Sequence, residues 1–74
     1  YIYDIHEARV IEELSSVKHD YEQEIYSTLN IHFSHHERFE INICKGDLSK
    51  IKSLSDRLRE IKELKSLTVN YFQW

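Results

Sequence analysis

Apolar and polar residues alternate over Tyr1–His6, YIYDIH, with Tyr1, Tyr3 and Ile5 on one face, which predicts a short strand of aromatic and β-branched character. The period then lengthens. From Glu7 to about Asp20, Val10, Ile11, Leu14, Val17 and Tyr21 recur at the spacing of an amphipathic helix, with Lys18 and His19 in the last turn, where cations suit the helix dipole. After the polar link DYEQE, alternation returns over Ile25–Phe33 and again over Arg38–Lys45, and the intervening SHHER suits a hairpin loop. Gly46 permits a tight turn, and Asp47 is a strong helix N-cap. Leu48, Ile51, Leu54, Leu58 and Ile61 form the apolar stripe of a second helix that should stop between Lys62 and Lys65. The stretch Ser66–Phe72, SLTVNYF, reads as a fourth strand.

The element order βαββαβ predicts an α+β, ferredoxin-like domain: a four-stranded antiparallel sheet with two helices on one face. Pairing His32 with Arg38 in the hairpin sets Asn30 opposite Glu40, Thr28 opposite Asn42 and Tyr26 opposite Cys44, all on one side. The other side carries Leu29, Ile31, Phe33, Phe39, Ile41 and Ile43, which reads as the core face. The face away from the helices would then bear Tyr1, Tyr3, Thr28, Asn30, His32 and Cys44. An uncovered sheet face of this kind is an expected seat for another copy of the domain.

With 74 residues the chain is one small domain, 1–74, able to bury only about 60 % of its unfolded surface, so a partner surface is expected to contribute to stability. The composition, 41 % hydrophobic and 31 % charged, is that of an ordinary globular domain. No apolar run reaches the length of a membrane span and no signal-peptide pattern opens the chain, so no membrane partner is expected. A lone cysteine, Cys44, implies no internal disulfide, and with it a cytoplasmic location. The net charge of −3, with both signs interspersed, argues against a nucleic-acid grip by this segment itself. The chain opens on tyrosine inside a strand-like stretch and reads as a segment of something longer.

Five histidines are many for this length, and His32, His35 and His36 lie close together. A metal site needs neutral imidazoles, thiolates or carboxylates converging at bonding distance. His35 and His36 fall in the predicted turn, where exposed polar residues are ordinary, whereas His32 stands on a strand. His19 is either a solvated helix terminus or a ligand. Cys44 lies six residues beyond Arg38, about 20 Å along the strand from the His32 end, and fits better as a small packed hydrophobe than as a thiolate. There is no Ser-His-Asp arrangement and no glycine-rich phosphate cradle, so no enzyme is expected.

The segments YIYD, the helix ending in His19, STLNIH and FEINICKGD together resemble the C-terminal regulatory domain of the nickel-responsive ribbon-helix-helix transcription regulators. The resemblance runs without gaps from Tyr1 through the second helix. It implies a ferredoxin-like, ACT-type domain assembled as a homotetramer, with DNA bound through an N-terminal domain that this fragment lacks. It further implies a planar nickel site of two second-strand histidines, a cysteine opening the third strand and a histidine from the first helix of another subunit. His19 and His32 fall on two of these positions. Asn30 and Arg38 fall on the other two, and an amide is a poor ligand while a permanent cation is none. Tyr3 and Glu40 keep the surrounding frame.

Two main functions follow as expectations. One is a metal-sensing and tetramerising regulatory domain with a degenerate site for nickel or another divalent metal, using His19 and His32 and drawing on His35 or His36. The other is a metal-independent oligomerisation module in which Arg38 fills the lost metal's place as a fixed cation. A small-molecule-sensing ACT-like domain is a lesser third, since His6 and Glu7 stand where such domains carry a glycine turn.

Overall fold

Two amphipathic helices bury their stripes against each other and against one face of a sheet. The computed structural model describes residues 1–72, in the order β1 (Ile2–Asp4), α1 (Ala8–Asp20), β2 (Ile25–His32), β3 (Glu37–Cys44) and α2 (Leu48–Arg59). The core is Val10, Leu14 and Val17 of α1 with Leu54, Leu58 and the following Ile61. Entry to α1 is shaped by Asp4, whose Oδ1 accepts from the His6 N–H at 2.8 Å, while Glu7 occupies the N-cap without a side-chain bond. Entry to α2 is as the sequence predicts. Gly46 adopts φ 135°, a left-handed conformation that disfavours a side chain, and Asp47 Oδ1 accepts from the Ser49 N–H at 2.9 Å. The helix ends earlier than expected, at Arg59 with Glu60 as cap, and Ile61 still reaches the core from the following turn.

The sheet is antiparallel in the order β1-β3-β2. His32 faces Arg38, Asn30 faces Glu40 and Thr28 faces Asn42, the register expected from the sequence. The predicted Tyr26–Cys44 pair does not form. A bulge between Ile25 and Ser27 sets Ile25 opposite Cys44, so that both pack against the helical core while Tyr26 points out, 77 % exposed. The fourth strand over Ser66–Phe72 is not formed either; among the described residues only an isolated bridge joins Ile2 to Ser66. That bridge nevertheless lies on the outer side of β1, where a ferredoxin-like sheet places its last strand.

The largest correction concerns the two faces. Tyr1, Tyr3 and Cys44, expected on the open face, pack against the helices, and the alternating apolar row is outside. Leu29 is 55 % exposed, Phe33 58 % and Ile43 57 %, with Ile31 and Ile41 also open. The physical reason is that the polar residues on β3, Glu40 buried and Asn42 half-buried, can be covered if each polar atom finds a partner, and none of the buried side-chain N or O atoms described lacks one, while Thr28, Asn30 and His32 on β2 stay exposed. Tyr1 and Tyr3 supply the apolar area that the polar strand positions do not.

Truncation of Leu14 to alanine, at the middle of this core, should cost about 2–5 kcal/mol of unfolding free energy by urea titration. Loss of the cap in Asp47→Ala should cost about 1 kcal/mol.

Candidate functional site

Glu40 stands at the centre of β3, and its side chain is fully shielded from solvent beneath α1. Burial of a carboxylate is costly, so its oxygens must be saturated with donors. Lys18, near the end of α1, reaches both: its Nζ lies 3.3 Å from Oε1 and 3.1 Å from Oε2. Asn30 of β2 donates to Oε1 at 2.9 Å, Asn42 donates to Oε2 at 3.3 Å, and the Tyr1 hydroxyl donates to Oε2. A second tier steadies the first, since Asn42 Nδ2 also donates to the Tyr1 hydroxyl at 2.9 Å and Thr28 Oγ1 donates to Asn42 Oδ1 at 2.7 Å.

Burial pushes the Glu40 carboxyl towards a raised pKa, but the Tyr1 hydrogen bond and the Lys18 charge outweigh it and hold the group below its ordinary value. Tyr1's own phenol is raised, by burial first and then by the hydrogen bond and charge of Glu40. Tyr3 shifts the same way for the same first cause. The Cys44 thiol is also pushed up, by burial and then by Glu24, which keeps it protonated as a packed side chain.

Each sequence-predicted site residue can now be placed. His32 and Arg38 meet across the hairpin, with Arg38 Nη1 2.7 Å from His32 Nδ1. Since a guanidinium is a donor only, His32 Nδ1 is the acceptor and the proton of the neutral ring sits on Nε2. Asn30 is engaged with Glu40. His19 stands apart on the end of α1, 80 % exposed, with Nδ1 3.8 Å from a Glu22 carboxylate oxygen. His35 and His36 are exposed in the turn, and the His36 ring leans on His6, centroids 5.1 Å apart. Among the described residues no three His, Cys, Asp or Glu side chains approach closely enough to hold a metal. The positions that the resemblance implies for a planar nickel site do not fit that ion within one chain: Asn30 is an amide bonded to a carboxylate, Arg38 is a guanidinium, and the His32 imidazole has its Nδ1 occupied.

The sequence reading missed Lys18, which it assigned only to the helix dipole, and the central part played by Glu40. A usable signal existed: a lone glutamate flanked by Phe39 and Ile41 in a strand, opposite an asparagine, is a candidate buried carboxylate.

The Glu40 cluster sets an acid dependence. A carboxyl held below its unfolded value contributes stability that is complete above the unfolded pKa and lost as pH falls through the folded one. Unfolding free energy should therefore fall on acidification below about pH 5, and Glu40→Gln should flatten that fall. Lys18→Met, which leaves the buried carboxylate without its counter-charge, should cost about 3 kcal/mol, the low end for a broken buried pair because Lys18 is 33 % exposed. Both are read by chemical denaturation across pH.

Comparison with known proteins agrees with this frame. Residues 1–71 match the family described as the NikR C terminal nickel binding domain. A protein of Methanococcus maripaludis strain C5, named "Putative nickel-responsive regulator", is 41 % identical over 66 residues, covering 89 % of this chain and 47 % of that protein. A protein of the same name from Thermococcus kodakarensis is 39 % identical over 64 residues, covering 86 % of this chain and 46 % of that protein. One from Methanococcus aeolicus is 36 % identical over 69 residues, covering 93 % and 49 %. The chain thus spans about half the length of the curated relatives it matches, and their names are those of regulators, not enzymes. On the extent of the family match and the identity to these regulators, the chain belongs to the family of the C-terminal nickel-binding domain of nickel-responsive regulators.

Proposed function

We propose that the chain is the assembly domain of a cytoplasmic transcription regulator, joining copies into a tetramer and holding DNA-binding parts that lie elsewhere in the protein. In this reading the family's metal position has been replaced by internal hydrogen bonds. The observation that carries it is the 2.7 Å contact between Arg38 and His32. A divalent ion at His32 Nδ1 would have to displace a permanent cation and then share its neighbourhood. Asn30 is held by Glu40, and Lys18 already supplies a positive charge between α1 and the sheet. The open row Leu29, Ile31, Phe33, Ile41 and Ile43 supports self-association, because so much contiguous apolar surface on one small sheet suits a second copy of the same face.

A second reading, metal sensing through His19 and His32 with His35 or His36, is favoured by one observation: His19 is 80 % exposed at a helix end and His32 keeps Nε2, so the two are open to meet between copies. The readings separate on metal response. With nickel, zinc, copper or cobalt added, the first predicts an unchanged melting temperature for the native protein. It also predicts that Asn30→His combined with Arg38→Cys, which restores the implied ligand set, gains nickel-dependent stabilisation of about 2.7 kcal/mol at a hundredfold excess over Kd. A nickel-dependent rise in the native protein that His32→Ala or His19→Ala abolishes would overturn it.

Self-association has its own test. Ile31→Asp, which sets a charge in the middle of the open row, should shift sedimentation or light scattering towards monomer while leaving the helical circular dichroism intact. An unchanged oligomer would remove the apolar face from the account.

A further inference from the structure

Tyr3, Arg38 and His32 form a row straight across the sheet, on the face that carries Glu40. Arg38 of β3 is paired with Tyr3 of β1 on one side and with His32 of β2 on the other, and residues paired across antiparallel strands point the same way. The next row, Tyr1, Glu40 and Asn30, is closed by Lys18 of α1. The row of Arg38 is more open, with Tyr3 and Arg38 half-buried and His32 exposed.

Donors dominate this row. A guanidinium carries N–H bonds on all its nitrogens and accepts nothing, and one nitrogen of Arg38 is engaged with His32 Nδ1 at 2.7 Å. The His32 ring, accepting through Nδ1, presents its own N–H at Nε2. The Tyr3 phenol feels the charges of both Glu40 and Arg38, and burial first, then Glu40, keeps it protonated and able to donate. The positive charge of the row is also uncompensated. Arg9 meets Glu13 and Glu63, Arg57 meets Asp20 and Arg59 meets Asp56, whereas among the described residues no carboxylate pairs with Arg38. Glu40 has its counter-charge in Lys18, and Glu37, on the opposite face, has Lys65 at 2.9 Å. A half-buried guanidinium bonded to a neutral ring keeps its full charge and part of its desolvation cost, and an anion would offset both.

We infer that this row is a receptor for a small oxyanion, a carboxylate or a phosphate, seated on the Arg38 guanidinium with the Tyr3 hydroxyl and the His32 Nε2–H beside it. The site rests on the reading that internal groups have taken over the metal position, so that the rung implied for a dication now attracts an anion. Guanidinium is the side chain whose planar fork matches two oxygens of a carboxylate or phosphate. A row across three strands spans about 10 Å, which confines the bound group to a small one.

The test uses the full-length protein, freed of metal on a chelating resin, with inorganic phosphate or sodium acetate exchanged for chloride at constant ionic strength. The melting temperature should rise saturably with at least one of the two. A response to phosphate alone assigns the phosphate class, and a response to acetate alone assigns the carboxylate class. Arg38→Met, which keeps an apolar stem and removes the charge, should weaken the apparent Kd about tenfold or more, and Tyr3→Phe about threefold. Tyr3→Phe alters a single oxygen and keeps the test decisive if Arg38→Met unfolds. The inference is overturned by no saturable rise with either anion, by a rise of native size in Arg38→Met, or by dissociation of Arg38→Met in chloride alone, which would assign the guanidinium to a carboxylate of a second copy. None of these outcomes involves a metal; a nickel-dependent rise abolished by His32→Ala would instead remove the reading beneath the site.

Discussion

The buried carboxylate of Glu40 is the constraint on which the layers depend. A charge with no solvent contact is tolerated only where donors converge from several directions, and here they come from Tyr1 just before β1 and from α1, β2 and β3 at once. Satisfying it fixes which sheet face the helices cover. Tyr1 and Asn42 must stay close to Glu40 under α1, so their apolar neighbours Ile41 and Ile43 are turned to the other side. The face left open then carries Leu29, Ile31, Phe33, Ile41 and Ile43. Charge burial inside and apolar exposure outside are two consequences of one register.

The positions at which the family resemblance implies metal ligands are engaged in side-chain contacts as well. Asn30, on the strand where the family resemblance implies a histidine, is a donor to Glu40, and Arg38, at the implied cysteine, is bonded to His32. Both replacements therefore have partners of their own. Lys18 contributes a charge one residue before His19, so that the helix end carrying the surviving helix histidine is anchored to the sheet by an ion pair. The domain belongs to a family described by nickel binding, and at two of the positions where the resemblance implies ligands it carries Asn30 and Arg38.

Much of the fold was legible. Helix spacing identified α1 and α2, Gly46 and Asp47 marked the second helix start, and three hairpin pairs followed from the alternation. The face assignment failed because hydrophobic alternation reveals that two faces differ, and says nothing about which one a helix covers. Tyr26 failed because a one-residue bulge leaves no mark in the alternation. The fourth strand fell short because, among the described residues, Ser66–Phe72 meets β1 only at the Ile2–Ser66 bridge. In the hairpin, the His32–Arg38 and Asn30–Glu40 pairings were legible, while Lys18 was hidden because a long side chain at a helix end looks solvated until the sheet beneath it is known.

The most direct measurement is the set of nuclear Overhauser contacts from the methyl groups of Leu14 and Leu54 in the folded protein. The account predicts contacts from this helical core to the rings of Tyr1 and Tyr3. Contacts running instead to Leu29 and Ile31, with the Tyr3 ring open to solvent, would contradict it.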